Sequence, residues 1–167
     1  MVGWRRKRFM DNTHYLRQAI QQAREAREKG NHPFGAILVD SKGNILLTAQ
    51  NTVNTEQDAT GHAETNLMRQ ASKTYSREFL RTCTIYTSTE PCVMCSGAIY
   101  WTGVGRVVYG LSEAGLYQLT GDNPENKTMR LPCRDVFANG QEEIVVLGPL
   151  LEDEATAVHN GFWKKKR

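Results

Sequence analysis

Thr82-Cys83-Thr84-Ile85-Tyr86-Thr87-Ser88-Thr89-Glu90-Pro91-Cys92-Val93-Met94-Cys95 passes from a β-branched, aromatic segment into a Pro-Cys-x-x-Cys turn. Thr82 to Thr87 has the composition of a strand. Ser88 and Thr89 can cap a helix, and Pro91 suits its first turn. The helix then runs from about Cys92 to Trp101, and Gly103-Val104-Gly105 stops it. Arg106 to Tyr109 reads as the next strand.

The same alternation extends in both directions. Asp11 and Asn12 are possible N-caps of a helix to about Lys29, with Leu16, Ala19, Ile20 and Ala23 at helical spacing. His32-Pro33-Phe34-Gly35 is a connector. Ala36 to Val39 and Ile45 to Ala49 read as two strands around the turn residues Asp40 to Asn44. Asn51 to Thr60 is polar and irregular, and Thr60 is placed to cap a helix that starts near His62. Ser72 to Leu80 reads as a loop. Glu113 to Leu119 reads as a short helix, and 120–139 as loop with a possible short helix. Ile144 to Leu147 is a last strand, and Leu150 to Trp163 a last helix with Leu151, Ala155, Val158 and Phe162 on one side. Strands alternating with helices predict a three-layer α/β/α sandwich on a mixed sheet.

Two motifs carry chemistry. His62-Ala63-Glu64 supplies an imidazole and a carboxylate, and Cys92 with Cys95 supplies two thiols. Both thiols fall in the first turn of the expected helix, where free N–H groups and the dipole favour thiolate. One His and two Cys are good zinc ligands, and three protein ligands leave a position open for water. Glu64 beside such a site can take and return a proton. A closed structural zinc would need a fourth ligand from Cys83, Cys133, His14, His32 or His159, none of which has convincing spacing. A redox pair of cysteines would need neither His62 nor Glu64.

Charge sits at the ends. Arg5 to Arg8 and Lys164 to Arg167 hold eight of the 21 basic residues, so the body between them is acidic, 13 against 18. A chain gripping a phosphate backbone along its body would be basic there. Residues 1–10 and 164–167 therefore read as solvated basic tails around one domain, 11–163; arms for nucleic acid are the alternative. No apolar run approaches a membrane span, and no apolar segment follows the N-terminal arginines as in a secretory signal. The expected location is the cytoplasm, with no membrane partner.

His62-x-Glu64 followed by Pro91-Cys92-x-x-Cys95 is the signature of zinc nucleobase deaminases. With Pro33-Phe34-Gly35-Ala36, Asn51, Thr89-Glu90 and Gly97-Ala98-Ile99-Tyr100-Trp101, the chain resembles the cytidine/deoxycytidylate deaminase superfamily. Within it, the chain is similar to the branch of guanine, cytosine and tRNA-adenosine deaminases. The resemblance implies a central five-stranded sheet and one zinc ion per subunit on His62, Cys92 and Cys95. It further implies Glu64 as proton shuttle, Asn51 as a hydrogen-bonding partner of the base, and commonly a homodimer. On spacing alone Asn51 would be an ordinary turn residue. The implied reaction is hydrolytic. Water activated at the metal attacks the ring carbon that bears the amine, Glu64 passes protons to a ring nitrogen and to the departing amine, and ammonia leaves. Backbone N–H groups near Ala63 and Cys92 would polarise the intermediate.

Substrate signals divide. Phe34 and the Tyr100-Trp101 pair look like guanine deaminases, whereas Gly105 to Gly110 looks like the tRNA-editing branch. After Gly110 the chain departs from both, although Glu113 stands near the acidic segment of guanine deaminases. Glu113 is thus either a substrate contact or a solvated helix start. Phe162 or Trp163 could pack in the core or close over a flat base. The expected substrate is a small free nucleobase or nucleoside, guanine-like or cytosine-like. The alternatives are adenosine in a tRNA anticodon and, from another class, a non-catalytic zinc-binding module.

Overall fold

The computed structural model describes the backbone of residues 2–163 and the side chains of 12–163. Lys164 to Arg167, and the side chains of Arg5 to Arg8, lie outside the described residues. Helix α1 is Val2–Glu28, followed by β1 (Gly35–Val39), β2 (Ile45–Gln50), α2 (Val53–Glu56), α3 (Ala63–Thr74) and α4 (Arg77–Leu80). Then come β3 (Thr84–Thr89), α5 (Val93–Thr102), β4 (Arg106–Leu111), α6 (Glu113–Thr120), α7 (Cys133–Ala138), β5 (Val145–Leu147) and α8 (Glu152–Ala157).

The strands form one mixed sheet of five in the order β2-β1-β3-β4-β5. β1 is antiparallel to both β2 and β3, whereas β3, β4 and β5 run parallel. Every residue of β1 is buried, as its unbroken apolar run requires of a strand covered on both faces. Alternation along the strands separates two cores. Ala36, Leu38, Ile85 and Val107 face α3 and α5, meeting Leu67, Met68 and Ile99. Ile37, Val39, Tyr86 and Val108 face α1, meeting Leu16, Ala19, Ile20 and Ala23, with Leu116 and Ala155 beside them. These are the three layers that the alternation predicted. Gly35 lets α1 lie directly on β1: a Cβ there would sit 2.3 Å from the Ala23 nitrogen.

Several boundaries differ from the sequence reading. α1 runs through the boundary expected at residues 10 and 11, because nothing from Trp4 to Met10 breaks a helix. β3 starts two residues late, since the Thr82 hydroxyl donates to the Phe79 carbonyl at 2.6 Å and stays in the preceding turn. Ser88 does not cap α5. Its hydroxyl accepts from the Gly35 N–H at 3.1 Å inside the sheet, and Cys92 takes the N-cap position. Thr60 does not cap α3 either: it donates to Asp58, and His62 is the N-cap. The loop expected over 72–80 contains the end of α3 and all of α4, whose cap is Ser76 accepting from the Phe79 N–H. The last helix stops at Ala157, where Arg27 donates to the Val158 carbonyl at 2.9 Å and Gly161 turns the chain at φ +71°.

Candidate active site

The N-termini of α3 and α5 converge beside the carboxyl end of β3, where open α/β sheets place ligands. His62 and Cys92 are the two N-cap residues, and neither side chain caps its own helix. Both side chains are thus left to meet each other. His62 Nδ1 lies 3.5 Å from Cys92 Sγ and 3.6 Å from Cys95 Sγ. The ligand atoms of His62, Cys92 and Cys95 all fall within 4.8 Å of one another. Among the described residues no fourth His, Cys, Asp or Glu joins this group. Cys83 and Cys133 are buried elsewhere and free, and Cys83 contacts the Phe79 carbonyl.

The electrostatics favour a thiolate. The hydrogen bond with Cys95, and then that with His62, hold the Cys92 thiol down to about 4. The same hydrogen bond, with burial, raises Cys95. The bond with Cys92 raises His62. Two thiols and an imidazole on one point, with helix N-termini behind them, fit zinc by donor type and number.

Glu64 occupies the first turn of α3 and is only 5% exposed. Burial raises its pKa, against the opposing hydrogen bond from Thr87. The Thr87 hydroxyl donates to Glu64 Oε1 at 2.6 Å and fixes the carboxyl group. Glu64, His62 and Cys92 line one cavity of about 140 Å³. Phe34, Asn51 and Glu113 line it too. That volume lies below the roughly 300–1,000 Å³ usual for drug-sized ligands. It suits a single small heterocycle.

Asn51 sits in a turn and also lines the cavity. Its Oδ1 accepts from the Val53 N–H at 3.0 Å, as in an Asx-turn. Glu113 is 8% exposed, and burial, followed by the charges of Cys92, Glu90 and Glu64, pushes its pKa up to about 8. Burial thus favours its neutral form, which can both donate and accept. It is not a solvated helix start. Two candidates lie off the cavity wall. Ala63 is fully buried in the core, and Trp163 packs behind the wall against His32, Phe34 and His159.

The sequence reading overlooked other wall residues. Thr89 lines the cavity, and its buried hydroxyl has no hydrogen-bond partner among the described residues. Glu90 also lines it, with its carboxylate accepting from the N–H groups of Glu113 (2.9 Å) and Cys133 (2.8 Å). That bridge ties the starts of α6 and α7 to the motif loop. The stretch Thr89-Glu90-Pro91-Cys92 was the available signal. His32, Val53, Ala59, Leu116, Glu125 and Asn126 complete the wall, the last two from a loop with no sequence signature.

Residues 10–111 match the family model of the cytidine and deoxycytidylate deaminase zinc-binding region. A probable cytosine deaminase from Schizosaccharomyces pombe is 46% identical over 149 residues, 89% of this chain and 90% of that protein. A tRNA-specific adenosine deaminase from Bacillus subtilis is 33% identical over 153 residues, 92% of this chain and 89% of that one. The crystal structure of guanine deaminase from Bacillus subtilis superimposes with a TM-score of 0.60 at 28% identity, covering 93% of this chain and 96% of that chain. Sheet order, paired helix starts and family match agree: the chain belongs to the cytidine and deoxycytidylate deaminase family, and it is a deaminase.

Proposed function

We propose that this deaminase is zinc-dependent and hydrolytic, and that its substrate is a small free nucleobase or nucleoside of cytosine-like or guanine-like shape. The observation that carries the reading is a buried carboxyl group, Glu64, on the wall of a base-sized cavity that also contains His62 and Cys92. His62, Cys92 and Cys95 would hold the zinc. Zinc bound there supplies a Lewis acid that makes water nucleophilic at neutral pH.

The chain's own residues do the rest. Phe34 offers a flat apolar wall, and the amide of Asn51 can hydrogen-bond a ring edge. Glu113 can present a donor and an acceptor together. Glu64, anchored through Oε1 by Thr87, takes a proton from the attacking water and delivers it to a ring nitrogen. A second proton passes through the same carboxyl group to the amine. The C–N bond breaks, ammonia leaves, and the ring keeps the water's oxygen as a carbonyl.

The test is ammonia release across guanine, cytosine, isocytosine, adenine, their nucleosides and amino-triazines, at several salt concentrations. The expected result is turnover of one free base or nucleoside with little salt dependence. Activity confined to tRNA, falling steeply with salt as phosphate contacts release counterions, would overturn the reading.

The same reading includes a homodimer. On α5, Met94, Gly97, Ala98 and Trp101 share one face at helical spacing. Trp101 is 78% exposed, Met94 is 37% exposed, and the space over Gly97 is open. Trp101→Glu is expected to convert a dimer to a monomer in analytical ultracentrifugation; a wild-type monomer at micromolar concentration would remove the idea. A reducing compartment, the cytoplasm, suits the free cysteines and the thiolates the site needs. Recovery in a membrane or secreted fraction would contradict that placement. No helix among the described residues is long and apolar enough to cross a membrane.

A further inference from the structure

A second cavity, of about 390 Å³, adjoins the base-sized one. Glu90 and Glu113 line both. Its other walls are one side of α6, with Ala114, Tyr117 and Gln118, and the segment from Thr128 to Pro132. Ala114, Tyr117 and Gln118 recur at helical spacing, so this side of α6 lies along the groove. Leu131 and Pro132 face them, and Leu131 is 42% exposed.

The chemistry of this groove is unlike that of its neighbour. The base-sized cavity carries His62, Glu64, Asn51 and a Thr89 hydroxyl with no partner among the described residues. The groove is walled mainly by carbon. Several of its polar groups are already engaged: the Arg130 guanidinium lies 4.1 Å over the Tyr117 ring and donates to the Tyr117 hydroxyl, which in turn donates to Asp122 at 3.0 Å, and Thr128 accepts from Asn126 at 3.1 Å. Both Glu90 oxygens are taken by backbone N–H groups. The carboxyl group of Glu113 and the amide of Gln118 are its remaining polar groups. A ribose brought here would find Glu113 and Gln118 for some of its three hydroxyl groups against an otherwise mainly apolar wall, and any hydroxyl left unpaired would carry the cost of a buried polar group. A hydrocarbon group would lose nothing comparable and would gain from burial.

Size points the same way. About 140 Å³ accommodates a heterocycle and little more, so whatever the ring carries must leave that cavity. Glu90 and Glu113 form the boundary between the two, so the groove is the space next to the base-sized cavity on that side. We propose that the groove between α6 and residues 128–132 is a subsite for an apolar substituent, and that among the base-like substrates proposed above the preferred one carries an alkyl or aryl group on its ring. The proposal rests on the reading of the smaller cavity as a base site.

The experiment is calorimetric binding to the zinc-loaded Glu64→Ala protein, which removes turnover from the readout. The probes are cytosine and guanine, their alkyl derivatives from methyl to butyl at N1 and C5 of cytosine and at N9 and C8 of guanine, and the matching ribosides. In at least one positional series, affinity is expected to rise by about fourfold per added methylene, the value of a buried CH₂. Ala114→Phe, an exposed position of α6 that fills the groove, should abolish that rise and leave bare-base affinity unchanged. Leu131→Asp should do the same by a different route. Bare bases that bind while every alkyl series stays flat would overturn the subsite and leave the deaminase reading intact. Ribosides gaining as much as alkyl bases would overturn it too, as would alkyl gains that survive both variants. Failure of every base and derivative to bind would instead remove the base-site reading itself.

Discussion

Glu64→Gln is expected to lower kcat for ammonia release by about 10²–10⁴-fold, the range typical of a positioned acid/base group. The change keeps size and hydrogen bonding, so Thr87 can still donate to the side-chain oxygen that replaces Oε1. It removes only the capacity to take up and return a proton. KM for the substrate should change far less than kcat, since a group acting in the transition state affects kcat and kcat/KM alike. Zinc content should remain near one per chain. Activity within threefold of wild type would mean that another group carries the proton, and Glu113 would be the nearest candidate. Loss of zinc together with activity would make Glu64 a ligand or a folding residue instead. A variant that keeps zinc and loses ammonia release also excludes the non-catalytic zinc-binding module.

The second large effect concerns the three ligands. Cys95→Ala or His62→Ala should reduce zinc at pH 7 from about one per chain to a small fraction. Disturbing even the outer partners of metal ligands costs about 10–100-fold in affinity, so removing a ligand should exceed that. Activity should fall in proportion to bound metal. Cys83→Ser and Cys133→Ala are the controls, because neither thiol joins the group of three. Undiminished zinc in Cys95→Ala, or zinc lost with Cys133→Ala, would relocate the site. A stoichiometric metal assay beside a thermal melt separates ligand loss from unfolding.

The site was more legible than the loops around it. His62, Glu64, Cys92 and Cys95 could be read because the chemistry of each motif is local, two or three residues long. The sheet was legible because β1 is an unbroken apolar run and β3 and β4 alternate between two cores. The ends of elements were not, because tertiary bonds set them. Ser88 has the composition of a cap, yet it belongs to the sheet through Gly35. The final helix stops where Arg27, more than 130 residues earlier, captures Val158. Glu90 entered the sequence reading only as part of the family resemblance, and only the folded chain brings the N–H groups of Glu113 and Cys133 to its two oxygens. Glu125 and Asn126 reach the cavity from a loop whose path no periodicity encodes. Trp163 could be a lid or core from sequence alone, and its ring lies among His32, Phe34 and His159, behind the wall.

Zinc-edge X-ray absorption on the resting protein tests the central claim most directly, since it counts what surrounds the metal without reference to any substrate. The account predicts two sulfur neighbours at about 2.3 Å, one imidazole nitrogen and one further light atom, both at about 2.0–2.1 Å, with multiple scattering from a single ring. A third sulfur, or scattering from two imidazoles, would mean a closed site with no room for water, and would contradict it.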